Sequence, residues 1–262
     1  MQRQTSGLFS QTTGQHGPEL ILVHGWGMHS AVWGDFAGKL AQHYRVTQLD
    51  LPGHGRSACD GDFSLDRVTD ALLQVAPPRA HWLGWSLGSL MVLNLAHRHP
   101  ERVASLTLVA GSARFTADSD WPGMDTSLLE RFAADFAEDY AGSLRRFLLL
   151  QNLGQEQAGH FHRTLARRIL ACEMPEPRAL QGGLEILKTA DMRKTVQTLD
   201  CPLLLLLGAR DRLASRDLAS AMRALNPRCE THVLETAGHL PFLTHTEATL
   251  DRINDFLARQ HA

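Results

Sequence analysis

The chain has 262 residues, 44% of them hydrophobic and 21% charged, with a formal net charge of -2 at neutral pH. That is apolar material for one large domain or a core with an inserted cap. The near-neutral balance gives no global reason to expect binding to nucleic acid or a membrane surface. Cys59, Cys172, Cys201 and Cys229 stand far apart, with no Cys-x-x-Cys and no Cys/His cluster of metal-ligand spacing. They read as inert thiols in a reducing cytosol. Met1 to Gly7 lack the apolar core of a signal peptide, and no run approaches a membrane span in length. The expected class is a cytoplasmic, monomeric enzyme without metal or cofactor.

In chain order, the first apolar run is Leu20 to Val23, followed by a helical pattern over 31–42. Val46 to Leu49 and His81 to Trp85 are the next runs, with a helix over 88–98 and a further run at Leu106 to Val109. Leu203 to Leu207, a helix over 215–225, a run at His232 to Leu234 and a helix over 246–259 complete the series. Ala214-Ser215 and Thr244-His245-Thr246 are the capping candidates for the last two helices. Short, nearly continuous apolar strands alternating with helices predict an α/β architecture, with a mostly parallel central sheet covered by helices on both faces.

The alternation stops between 112 and 195, where the patterns are helical: 128–140, 144–153, 160–171 and 179–189, punctuated by glycine and proline. The expected organisation is therefore a core at 1–111, an all-helical lid at 112–195 and the rest of the core at 196–262. A lid inserted there should sit over the strand ends, where open α/β sheets bind ligands.

The most telling segment is Gly84-Trp85-Ser86-Leu87-Gly88, between the run at 81–85 and the helix over 88–98. A serine between two glycines at a strand-to-helix turn forms a nucleophile elbow, exposing its hydroxyl over the sheet edge. Ester or amide hydrolysis also needs a base, an acid to orient it and donors for the oxyanion. Asp211 follows the strand at 203–207 and His239 follows the strand at 232–234, each in a loop beyond a strand C-terminus. The order Ser, Asp, His is that of a hydrolase elbow. His239 alone among the 14 histidines combines a glycine turn after a strand with a position downstream of Asp211. The backbone N–H of Leu87 and that of Trp26, in the turn His24-Gly25-Trp26-Gly27, are the expected oxyanion donors. Each is worth about 3 kcal/mol in the transition state. His24 is read as a brace for that loop. Leu51 to Ser57 is a Gly/Pro loop with no nucleophilic role evident.

These segments resemble the α/β-hydrolase superfamily across nearly the whole chain. Within it they resemble the pimeloyl-[acyl-carrier protein] methyl ester esterase family of biotin synthesis. The more specific marks are His24 to Gly27 with Val32-Trp33, Trp82 to Gly88, Asp120 to Gly123, Arg146 to Gln151 and Gly182 to Asp191. The resemblance implies hydrolysis of a methyl ester on an acyl-carrier protein, with Ser86, Asp211 and His239 as the triad. It further implies substrate contacts from Trp26, Ser86, Leu87, His239 and the lid residues Phe147, Leu148, Leu149, Leu150 and Gln151. The chain departs from the family pattern at Ser89, which replaces a second glycine, and at Gly142 and Gly159, which replace basic residues.

From Ala141 to Ala171 there are five arginines, Arg145, Arg146, Arg163, Arg167 and Arg168, against the single acidic Glu156. Arg145, Arg146, Arg163 and Arg167 are the candidate contacts for an acidic carrier protein; an ordinary solvated helix face is the alternative. For the function as a whole, the alternatives are a general short-acyl carboxylesterase or C–C bond hydrolase with the same triad, and a non-catalytic ligand receptor.

Overall fold

The computed structural model describes residues 7–150 and 158–260. Seven strands form one sheet: β1 (Ser10–Thr13), β2 (Glu19–Val23), β3 (Arg45–Leu49), β4 (Ala80–Trp85), β5 (Val103–Val109), β6 (Leu203–Gly208) and β7 (Glu230–Leu234). Their spatial order is β1-β3-β2-β4-β5-β6-β7, with only β1 antiparallel to its neighbour. Between and after them run α1 (Asp35–Leu40), α2 (Leu65–Val75) and α3 (Leu87–Arg98). Next come α4 (Thr126–Glu138), α5 (Tyr140–Leu150), α6 (Ala158–Leu170), α7 (Pro177–Thr189) and α8 (Arg193–Thr198). The last three are α9 (Leu218–Leu225), α10 (Pro241–Thr244) and α11 (Thr246–Ala258).

The apolar strands pair as their composition requires. Leu203 to Leu207 of β6 are all essentially inaccessible, and burying each leucine is worth about 2 kcal/mol of transfer free energy. The strand order reverses between β2 and β4, so the loops leaving these neighbours diverge and leave a crevice at their C-terminal ends. Residues 24–27 and Ser86 lie at that crevice because each directly follows one of these two strands.

Three local departures from the sequence reading have simple causes. The polar strand Ser10–Thr13 is wholly exposed and has no apolar alternation; it exists because its backbone pairs with the β3 edge. The pattern over 31–42 is broken into a short 3-10 turn and α1 at Gly34, whose φ is +52°. The sequence reading has no helix at 65–75, yet α2 forms there, with Ser64 capping the Arg67 N–H and Val68 and Leu72 buried one turn apart. His245, one of the capping candidates, is the N-cap residue of α11, whereas Asp217 rather than Ala214 or Ser215 is that of α9; neither side chain bonds the helix end.

Helices α4 to α8 all lie between β5 and β6 in the chain, and among the described residues of that stretch no strand intervenes, only isolated bridges at Thr116–Met124 and Asp118–Trp121. This helical insertion packs back over residues 26–29 and 53. Glu176 N–H bonds the Gly53 carbonyl, and His29 Nε2 donates to the Ile169 carbonyl at 2.9 Å.

Candidate active site

The turn between β4 and α3 is formed by backbone against backbone. A Cβ on Gly84 would lie 2.4 Å from the Gly88 carbonyl oxygen, and one on Gly88 would lie 2.3 Å from that of Val23. Both distances are far inside van der Waals contact, so only glycine fits at either position. Ser86 between them has φ +53°, a conformation that L-residues rarely adopt. The strain is offset by fixing both ends of the residue. Its N–H bonds the Val109 carbonyl at 3.1 Å, and its own carbonyl accepts the Ser89 hydroxyl at 2.6 Å. Ser89 therefore takes up the space of the family glycine usefully, since its oxygen also receives the Ser112 N–H at 3.3 Å.

Ser86 Oγ stands 2.9 Å from His239 Nε2, and His239 Nδ1 stands 2.7 Å from Asp211 Oδ2. The carboxylate can only accept, so Nδ1 carries the proton and Nε2 is free to accept the serine proton. Asp211 Oδ1 takes the N–H groups of Leu213 and Ala214 at 2.7 and 3.0 Å, which orients the carboxylate. The His239 carbonyl accepts Trp85 Nε1 at 2.8 Å, tying the histidine loop to the elbow strand. His239 and Ser86 are both buried, at 1% and 9% exposure.

Leu87 N–H is the first amide of α3, a helix terminus whose leading N–H groups have no partner within the helix. The Trp26 and Leu87 side chains lie close together, since Gly183 of α7 faces both: a Cβ there would sit 2.6 Å from Trp26 Cδ1 and 3.2 Å from Leu87 Cδ2. His24 braces the loop, as the sequence reading expects. Its Nδ1–H donates to the Gly25 carbonyl at 2.8 Å and its Nε2 accepts the Leu51 N–H at 2.9 Å. Burial, with the charge of His54, lowers its pKa to about 3, so it stays neutral and keeps both bonds. The loop at 51–57 closes on the fully buried Asp50, which accepts from Ser30 N–H, Arg56 N–H and Arg56 Nε at 2.8, 2.9 and 2.9 Å. Burial alone would raise the Asp50 pKa, but the hydrogen bonds from Arg56 and Ser30 outweigh it and hold the group down to about 2. This loop is a scaffold.

Of the remaining sequence candidates, Arg145, Arg146 and Arg167 are exposed on α5 and α6, which pack together. Arg146 donates to Ser143 Oγ at 2.7 Å and faces Asp139 at 3.8 Å. Phe147, Leu148, Leu149 and Leu150 form the last turn of α5 and Arg163 lies in α6, but their side chains are outside the description; Gln151 lies outside the described residues. An apolar cleft of about 460 Å³ opens between α4 and α7, with Trp26, Phe136, Leu180 and Leu184 in its walls. Among the described residues no group of three His, Cys, Asp or Glu side chains is arranged to hold a metal ion.

A serine hydroxyl on a histidine held by an aspartate, at a strained turn over a parallel sheet, is the constellation of a serine hydrolase. The chain matches the family described as "alpha/beta hydrolase fold" over residues 18–246. It is 44% identical over 252 residues to a pimeloyl-[acyl-carrier protein] methyl ester esterase from Methylococcus capsulatus, covering 96% of this chain and 99% of that one. An esterase of the same name from Citrobacter koseri is 43% identical over 235 residues, 90% of this chain and 92% of its own. A solved hydrolase from Pseudomonas aeruginosa superposes with a TM-score of 0.81 at 25% identity, over 95% of this chain and 94% of that one. The chain belongs to the α/β-hydrolase family and, within it, to the group of these methyl ester esterases.

Proposed function

We propose that this protein is a serine carboxylesterase that hydrolyses the methyl ester of pimeloyl-acyl-carrier protein, releasing methanol and the free acid. The observation that carries the reading is the continuous Ser86–His239–Asp211 hydrogen-bond chain, in a sequence 44% identical to an esterase of that name. Ser86 Oγ attacks the ester carbonyl and its proton passes to His239 Nε2. The carbonyl oxygen, now negative, is received by the N–H groups of Trp26 and Leu87. Collapse breaks the bond to the methoxy oxygen, which leaves as methanol with the proton from His239. Water then attacks the acyl-Ser86 ester, giving a proton to His239, and the acid departs as Ser86 recovers its own. Asp211 keeps its charge throughout and stabilises the imidazolium.

Residues 112–195 act as a lid in this reading, and Phe147 to Gln151 are the substrate contacts that the resemblance to the esterase family implies. Arg145, Arg146, Arg163 and Arg167 meet the acidic carrier, and the enzyme works as a cytoplasmic monomer. No helix of the described residues is long and apolar enough to cross a membrane, which is compatible with that location.

The test is turnover of methyl pimeloyl-carrier protein against a small free methyl ester. Ser86→Ala should abolish both, by three decades or more. Reversing Arg145 and Arg167 to Glu should raise KM for the carrier-bound ester severalfold, with the loss shrinking as salt rises, and leave the small ester unchanged. Turnover of the small ester alone by the wild type would make the enzyme a general short-acyl esterase.

A further inference from the structure

We propose that Tyr140, the first residue of α5, is a positioning residue for the oxyanion loop, acting through two peptide planes; this rests on the reading that Trp26 N–H is an oxyanion donor. The buried Tyr140 hydroxyl donates to the Gly27 carbonyl at 3.0 Å, across 113 residues of sequence. The Gly27 carbonyl and the Met28 N–H belong to one planar trans peptide, so fixing one end fixes the direction of the other. That Met28 N–H donates to the Gly25 carbonyl at 3.3 Å. The Gly25 carbonyl in turn shares its plane with the Trp26 N–H, and a trans peptide directs the two oppositely. A bond from Tyr140 therefore constrains, two planes away, the donor that would meet the oxyanion.

The need for such a clamp is local. Gly27 has φ +68°, and a loop with glycines on both sides of Trp26 has the most backbone freedom to lose. His24 holds the Gly25 end from the sheet side, and Tyr140 holds the Gly27 end from the insertion. The Trp26 side chain is gripped by the same insertion: its Nε1 donates to the Leu180 carbonyl at 2.8 Å and its ring packs on Phe132 and Phe136. Burial raises the Tyr140 pKa, so its hydroxyl remains a donor at every working pH. The helical insertion thus sets the geometry of the reaction centre as well as covering it.

The experiment is Tyr140→Phe, which removes one oxygen and leaves the ring. Active sites are first counted by end-point labelling of Ser86 with a phosphonate, so that any misfolded fraction is removed from kcat. The expected result is a kcat about tenfold lower on both the carrier-bound and the small ester, with KM within about twofold, a smaller loss than the hundredfold or more from deleting an oxyanion donor outright. The inhibition constant of a trifluoromethyl ketone, whose adduct places an oxyanion in the hole, should rise by the same factor as kcat falls. That of the product carboxylate should not move. Unchanged kcat, or equal weakening of both inhibitors, overturns the assignment, the second outcome marking a collapsed pocket. If Ser86→Ala kept its turnover, the underlying mechanism would fall instead, whatever Tyr140→Phe did.

Discussion

The two walls of the site are built in different ways. On the sheet side, Gly88 of the elbow meets the Val23 and His24 carbonyls and Gly84 meets that of Gly88, main chain against main chain, so no side chain fits at either glycine. On the insertion side, side chains make these contacts with the loop after β2: the Tyr140 hydroxyl, the Trp26 indole on Leu180, the Phe132 and Phe136 rings, and His29 on Ile169. The outer ion pairs of the insertion, Arg168–Asp35 and Lys188–Glu130, are substantially exposed and add little. Backbone-to-backbone packing dictates residue identity; side-chain packing can be satisfied by many residues. The first wall holds the Ser86 turn, while the second tolerates more than one side chain at its contacts.

The comparison breaks most visibly at the triad. Asp211→Asn keeps an oxygen for the Leu213 and Ala214 N–H groups but favours the wrong His239 tautomer. Turnover of a small methyl ester near neutral pH should fall by up to about four decades, with a thermal midpoint close to that of the wild type. A near-normal rate would assign the orienting acid to another carboxylate.

A matched pair of glycine substitutions sharpens the contrast. Gly88→Ala sets a methyl 2.3 Å from a carbonyl oxygen that cannot move without the sheet. It should cost about 3 kcal/mol or more in urea unfolding. Gly183→Ala sets a methyl 2.6 Å from the Trp26 ring, a side chain on a loop. Its stability cost should be about half as large, in the range of ordinary overpacking, and its main effect should be on KM. Equal stability losses would mean that the two walls are equally rigid.

A pH dependence is shared between the walls and leaves turnover near neutral pH untouched. Burial lowers the pKa of His24 from 6.5 to about 3 and that of His29 in the same direction. The unfolded chain therefore binds protons that the folded chain refuses, and stability falls as pH drops below about 6.5. For His24 the slope is about 1.4 kcal/mol per pH unit between those two pKa values, and His29 adds to it in the same sense. Asp50, held at about 2 against an ordinary 3.8, adds a further loss only below that ordinary value. Urea midpoints at pH 7, 6, 5 and 4 check this, and His24→Asn should flatten the curve. A flat wild-type profile would show that these histidines are protonated in the folded state.

Much of this was legible in advance, for identifiable reasons. The apolar strands at 20–23 and 203–207 stand out because a parallel sheet buried on both faces needs unbroken hydrophobic runs. Gly84 and Gly88 flag the elbow because nothing larger fits, and Asp211 and His239 are marked by their place beyond strand ends. The edge strand at 10–13 left no trace, since every residue in it is exposed and only main-chain pairing defines it. Tyr140 left none either. A lone tyrosine in a helical stretch gives no sign that its hydroxyl will reach a carbonyl 113 positions away.

The sequence by itself determined the class of fold, the serine turn between Gly84 and Gly88 and the loop positions of Asp211 and His239, because these depend on local rules: strand periodicity, glycine in a forced turn, loops after strands. Only the tertiary structure decided which side chains of the insertion grip the oxyanion loop, and that His24 must remain neutral to brace it. Those outcomes depend on distances between residues remote in the chain, set by how helices seat on a sheet, and no spacing along the sequence encodes them.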